Sequence, residues 1–496
     1  MAISLSALTG CGSADDKKIG NVGDRITVKV IKCGYGDKAT QNDVVWDAIH
    51  EKFQKDTGID IEFDIEFVPW EEATTRITTK ITANEKFDIF MNQLISMGDM
   101  AKEENHPMMH LDDIMAENGK NFLDFIPQRS LDLNTRHGHL IGIPLDWQSA
   151  AYWFVARTDK MTEWGLSMPD TLAEFEAVMA EMKQKDPNCI PLTGASWSIG
   201  RVIMALANLP EAYHNSLYLD KTDGKIKANY VNPNYKTYLE IYARWVKNGW
   251  ISKDSISMQT ETANTMFISG KSYIKADWAT NPLYQDIKSI QKSTPAATVA
   301  MMPIFKGVDG VARVHAENPT SINYCAYKGA NKEAVKAFVK YIDWTLEDPA
   351  NYRLANYGIE GTHYDVVDGV AVSKPEYAGL GESGPYAGLY GFFTTINSKY
   401  FLSTSEYGPD YNDAFNTLIS AEKTDISVDG LYFDYTPIAA KATAAQNFFF
   451  PLSDMFCLGK KDLSELAASQ QEYLAKGGNA ITEEFTRQYN EKYKGK

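Results

Sequence analysis

The stretch Leu140–Phe175, LIGIPLDWQSAAYWFVARTDKMTEWGLSMPDTLAEF, constrains the fold more than any other part of the chain. It begins with an apolar run, Leu140-Ile141-Gly142-Ile143, stopped by Pro144, which cannot donate to a strand ladder. A polar and aromatic turn follows: Asp146, Trp147, Gln148 and Ser149. A second run, Ala150–Ala156, reads as a buried strand. It ends in Arg157-Thr158-Asp159, which opens a short helix. Thr171 then precedes a helical pattern with Glu174 three residues on, the capping-box spacing. Two strands joined by a polar aromatic crossing, then capped helices, carry a chain from one α/β lobe into another.

The flanking sequence supplies those lobes. Arg25–Cys33 alternates and is β-branched, so it reads as a first strand. Asn42–Thr57 has helical spacing at Val45, Ala48, Ile49 and Phe53, and Gly58 stops it. Ile59–Val68 is a second strand, Glu71–Asn84 a helix and Phe87–Met91 a third strand. This alternation predicts a parallel α/β lobe, and ligands of open sheets bind beyond the carboxyl ends of the strands. Those ends offer Tyr35, Asp37, Trp70, Asn92 and Gln93. Beyond the crossing, helices are expected at Leu172–Asp186, Ser198–Leu209, Tyr235–Asn248, Thr260–Ser269 and Asn331–Leu346. Asp223-Gly224 signals a hairpin, and Gly477-Gly478 splits a helical tail over Leu463–Tyr493. With 496 residues the chain is too long for one core.

The order of these features resembles extracellular solute-binding proteins of ABC importers, family 1, of the maltose-binding-protein type. The resemblance rests on Gly142-Ile143-Pro144, Tyr152-Trp153, Arg157, Asp159, Gly165-Leu166, Pro169 and Glu174-Phe175 at the crossing. Phe267-Ile268-Ser269-Gly270-Lys271, the EAVKAFVKYIDWTL helix and Tyr357–Tyr364 extend it over nearly the whole chain. It implies an α/β, two-lobed, periplasmic-binding-protein-like fold with a ligand cleft between the lobes. It also implies capture of a carbohydrate, an oligosaccharide by preference, for delivery to the transmembrane subunits of an ABC permease. The expected division is a lipoprotein signal remnant and linker at 1–23, lobe 1 at 24–148 plus 316–346, and lobe 2 at 149–315 plus 347–496.

Aromatic content is the main chemical signal, with 10 Trp, 27 Tyr and 22 Phe. Sugar rings present apolar C–H faces and a rim of hydroxyls, which suit flat aromatic faces and carboxylates or amides. Trp278 with Asp277 and Asn281 follows the expected strand Lys271–Ala276. In the resembled family a Trp in this place stacks on the sugar. Trp147 with Asp146 forms a similar group at the crossing. Tyr386 and Tyr390 sit in the glycine-rich GPYAGLYGFF, which reads as a binding wall or as packing under a loop. Trp245, Trp250 and Trp344 fall on amphipathic helices and are expected in cores.

Other chemistries are poorly supported. The net charge of −16 argues against nucleic acid as partner. Leu8-Thr9-Gly10-Cys11 matches a bacterial lipobox, making Cys11 the expected lipid anchor, followed by a polar linker. The short apolar segment before it lacks a basic start. Together these predict a monomer tethered to the extracellular face of a bacterial membrane, of Gram-positive type. Cys33, Cys189, Cys325 and Cys457 show no C-x-x-C spacing and so no metal or redox signature; two disulfides are open to them, but their apolar neighbours favour buried free thiols. His106 and His110 flank Pro107, and His137-Gly138-His139 reads as a hairpin turn, so no metal or cofactor is expected. Two alternatives stay open: a binding protein for a peptide or other polar solute, and a secreted glycoside-active enzyme. The enzyme would need a carboxylate pair from such residues as Asp146, Glu360 and Asp365.

Overall fold

The computed structural model describes residues 25–33, 41–93, 97–98, 100–101, 104–145, 152–210, 217–279, 282–315, 322–377, 393, 400, 402–405, 408–425, 427–428 and 431–494. In chain order the strands are β1 Ile26–Cys33, β2 Ile61–Val68, β3 Ile89–Gln93, β4 Thr135–Arg136, β5 His139–Leu140, β6 Ile143–Pro144, β7 Tyr152–Arg157 and β8 Leu192–Thr193. They continue with β9 Leu217–Asp220, β10 Lys225–Ala228, β11 Ile274–Trp278, β12 Val299–Met301, β13 Arg313–Val314 and β14 Ile322–Ala326. The last are β15 Tyr364–Val367, β16 Val370–Ser373, β17 Ser403–Thr404 and β18 Glu422–Lys423. The helices that matter below are α1 Asn42–Thr57, α2 Trp70–Thr82, α3 Leu172–Lys185, α4 Ser196–Ala207, α5 Tyr235–Lys247, α6 Lys332–Glu347, α7 Ala439–Cys457 and α8 Asn479–Lys492.

Two sheets organise two lobes. The first has strand order β2-β1-β3-β14-β6, with β1 parallel to both β2 and β3, and β14 antiparallel to β3 and β6. The second has order β12-β7-β11-β8. Strand β7, YWFVAR, is buried along its whole length, so Tyr152–Ala156 of the expected apolar run form a central strand covered on both faces. Each sheet carries its own core. One gathers Val28, Phe53, Phe90, Ile143, Tyr324 and Trp344. The other gathers Trp153, Phe175, Ile203, Trp245, Phe305 and Phe449.

Local signals form as read. Thr171 caps α3 through both capping-box bonds: Glu174 N donates to Thr171 Oγ1 at 3.3 Å, and Thr171 N to Glu174 Oε2 at 3.1 Å. Asp223-Gly224 turns the β9–β10 hairpin, and His137-Gly138 turns β4–β5 with both residues at positive φ. Trp245 and Trp344 are fully buried, and each indole N–H donates to a carboxylate, Glu176 at 2.8 Å and Asp56 at 2.9 Å. Cys33, Cys189, Cys325 and Cys457 are buried free thiols. Burial pushes Cys33 and Cys457 up to about 12, which makes them inert.

The expected lobe boundaries need one correction. Residues 347–496 were assigned to the second lobe, yet Tyr352, Ala355, Tyr357, Tyr364, Ala371 and Leu402 pack in the first core. Only from Ala414 does the chain rejoin the second core. Asp348-Pro349 looks like the end of a lobe, but it restarts a helix, with Ala350 N donating to Asp348 Oδ1 at 2.7 Å. That helix stays on the core of α6. The three passages between lobes therefore lie at 145–152, 315–322 and 404–414.

Candidate functional site

The second lobe presents an aromatic wall. β11 runs antiparallel to β7, and the register sets Trp278 opposite Tyr152. Their ring centroids are 5.5 Å apart and nearly perpendicular. Tyr152 makes a second edge contact, at 5.1 Å, with Trp197 in the first turn of α4. One turn on, the Arg201 guanidinium lies 4.5 Å from the Tyr152 ring centroid and 5.5 Å from that of Trp197. Trp278 and Trp197 are half-buried.

Below this wall lies a buried charge triad. Lys275 Nζ sits 2.7 Å from Asp277 Oδ2 and 2.6 Å from Asp286 Oδ2. Burial works against the ammonium, but the two carboxylates outweigh it and raise the Lys275 pKa. Burial also raises that of Asp286, against the pull of Lys275. Asp277 Oδ1 accepts from Trp278 N at 2.7 Å. Asp277, an expected ligand contact, thus has both oxygens occupied. It anchors the wall from beneath.

The first lobe presents amides at the carboxyl ends of its strands. Asn92 on β3 pairs in register with Asn323 on β14. Both are buried, and Nδ2 of each has no hydrogen-bond partner. Gln93, next along β3, is exposed. Lys32, near the end of β1, is buried with its ammonium 5.4 Å from the Phe393 ring centroid. Burial pushes the Lys32 pKa down to about 7. Two unmet amide donors at a strand end suit the capture of a polar ligand; Lys32 shares its face with Tyr324, both against Phe393, and so points away from them.

Several expected contacts lie outside the described residues: Tyr35, Asp37, Asp146, Trp147, Asn281, Tyr386 and Tyr390, together with the lipobox Cys11. Trp70 opens α2 directly after Pro69, and its side chain is likewise outside them. Phe393, at the end of the glycine-rich segment, is fully buried against Phe63 at 4.6 Å. The structure groups Tyr152, Trp197 and Arg201 with Trp278, and Asn323 with Asn92. Trp197 carried no signal of its own, since it sits in the first turn of the apolar helix α4. Of the carboxylates considered for catalysis, Glu360 is exposed and Asp365 pairs with Lys374.

The profile of the bacterial extracellular solute-binding proteins matches residues 38–342. Over 388 residues, 73% of each chain, the protein is 22% identical to Lipoprotein LipO of Bacillus subtilis (strain 168). Among solved structures it resembles the N-glycan transport solute binding protein NgtS from Streptococcus pneumoniae, with a TM-score of 0.67 and 16% identity over 94% of this chain and 98% of that one. It also resembles the S. pneumoniae ABC-transporter substrate binding protein FusA in complex with kestose. There the TM-score is 0.68 and the identity 16%, over 95% of this chain and 100% of the other.

Proposed function

The chain belongs to the bacterial extracellular solute-binding proteins, and from that premise we propose that it captures a carbohydrate, an oligosaccharide, in the cleft between its lobes. The observation that carries this reading is the Tyr152–Trp197–Trp278 wall with Arg201 at its edge. Half-buried indoles suit the C–H faces of sugar rings, while guanidinium and amide groups suit their hydroxyls. Asn92, Gln93 and Asn323 supply amides from the first lobe. NgtS and FusA, which share the fold, are described as an N-glycan transport protein and a protein in complex with kestose.

The mechanism is binding rather than catalysis. A ligand touching both lobes gains contacts only when they approach, so it favours the closed form by its differential affinity. The closed form then docks on the transmembrane subunits of an ABC permease and delivers its cargo. Cys11, lipidated, tethers a monomer to the extracellular face of a Gram-positive membrane. Cys11→Ala, expressed with a complete signal, should move the protein from the membrane to the medium; unchanged partitioning would remove the anchor from this account.

A glycan panel on purified protein tests the central reading. Binding should concentrate on a small group of related oligosaccharides, with no cleaved product after long incubation. Binding of peptides and of no glycan would replace the carbohydrate. Product in excess over protein would replace binding by catalysis.

A further inference from the structure

Behind the aromatic wall the second lobe contains a cavity of about 110 Å³. Trp197 and Arg201 line it and also belong to the wall, so the two spaces share a border. Tyr235, Tyr238 and Tyr242 line it from successive turns of α5, their neighbouring ring centroids 5.7 and 6.1 Å apart. Phe449 on α7 adds a further aromatic face.

Two other lining residues, Asn229 and Tyr230, are 4% and 1% exposed. Asn229 Oδ1 has no hydrogen-bond partner, whereas the Tyr230 hydroxyl is engaged by Ser469. Buried polar atoms are rarely left unmet, so an occupant with hydroxyls suits this space better than a hydrocarbon. The charged side chains lining it are Arg201 and Asp454, one of each sign. No surplus cation is present there for a sugar acid. A buried water needs roughly 10–15 Å³ of such volume, so the space corresponds to roughly seven to eleven waters. That is the room of one sugar ring with its hydroxyls.

We propose that this cavity is a side chamber for a single neutral sugar ring, the end or a branch of the carbohydrate held in the cleft. The proposal rests on the carbohydrate reading above. It assigns the chain a ligand with a protruding residue and gives α5 and α7, away from the strand ends, a part in choosing it.

Gly200 on α4 gives the test. A Cβ there would meet Met204 Cε at 3.5 Å and Tyr238 Oη at 3.7 Å, which is ordinary contact, so a longer side chain at 200 would extend into the chamber. The probes are the tightest glycan from the panel and the same glycan trimmed of its terminal or branch residue by an exoglycosidase. Gly200→Met should weaken the intact glycan by about tenfold more than the trimmed one. Crystals of the wild-type complex should show ring density in the chamber, a readout that does not depend on the variant folding. Equal losses for both glycans at an unchanged melting midpoint would overturn the chamber, as would water alone in the chamber at saturation. If Trp278→Ala removes affinity while Gly200→Met does not, the chamber fails and the carbohydrate reading stands. If no glycan binds, both fail.

Discussion

At position 278 an indole is fixed by Tyr152 behind it and by the Lys275–Asp277–Asp286 triad beneath it, so it pays little ordering cost when a ligand arrives. Trp278→Ala should weaken carbohydrate binding by about 2 kcal/mol, the scale of an aromatic anchor. Calorimetry giving equal affinity for variant and wild type would remove Trp278 from the site. A second residue to test is His106, buried in a group of four imidazoles. Its ring lies 5.5 Å from His110 and 5.9 Å from His137, and His110 stacks on His139 at 3.8 Å. Asp112 Oδ2 holds His139 at 3.1 Å, and Lys328 adds positive charge. Burial, then His110, His137 and Lys328, pushes the His106 pKa down to about 4. In the unfolded chain an imidazole titrates near pH 6.5. Between those values the unfolded chain binds the proton and the folded chain does not, so stability falls as pH falls through that window. The term is roughly 2–3 kcal/mol, fully present above about pH 6.5 and lost by about pH 4. Melting midpoints of wild type and His106→Leu, compared between about pH 7 and 5, should show a shallower acid slope in the variant. Parallel curves would place the sensitivity elsewhere.

Among the elements, the C-terminal helices depend on one close approach. A Cβ at Gly477, between the helix ending at Tyr473 and α8, would lie 2.1 Å from Lys441 O on α7. Backbone cannot yield as a side-chain tip can, so Gly477→Ala should destabilise the protein by about 2 kcal/mol or more. Chemical denaturation with an unchanged midpoint would contradict it. The break at Gly477-Gly478 was legible because glycine marks it locally. So were the Thr171 cap, the two tight hairpins and the strand–helix alternation of the first lobe. The aromatic wall was legible only at Trp278. Tyr152 is hidden in a continuous apolar run, since a strand covered on both faces shows no alternation. Trp197 reaches it through tertiary packing across sequence positions 152 and 197, which no local period encodes. The return of residues 352–402 to the first core was hidden for a different reason. Asp348-Pro349 writes the same signal whether the chain leaves a lobe or turns back onto it.

For the whole molecule, the chain passes between the two cores three times, and a hinge at those passages would let the lobes rotate with few contacts to remake. Small-angle scattering should therefore give a smaller radius of gyration with saturating ligand than without. No change at proven saturation would mean that capture does not close the lobes. Among the described residues the lobes already touch near Tyr432: Leu431 packs against both cores, Tyr432 Oη lies 3.1 Å from His137 Nε2, and the Arg136 guanidinium is 5.0 Å from the Tyr432 ring centroid. Its backbone carbonyl accepts from Tyr493 Oη at 3.0 Å, which ties the point to the end of α8. The displaced third passage has a consequence for inheritance. The core of each lobe is written in two separate pieces of chain, 26–145 with 322–404 and 152–315 with 414–489. A single recombination event cannot trade one lobe for a relative's. The stretch 38–342 that matches the family is likewise not a unit that could travel alone, because it leaves behind α7 and α8, which cover the second core. Specificity in such a chain changes by substitution within the walls, not by exchange of bodies.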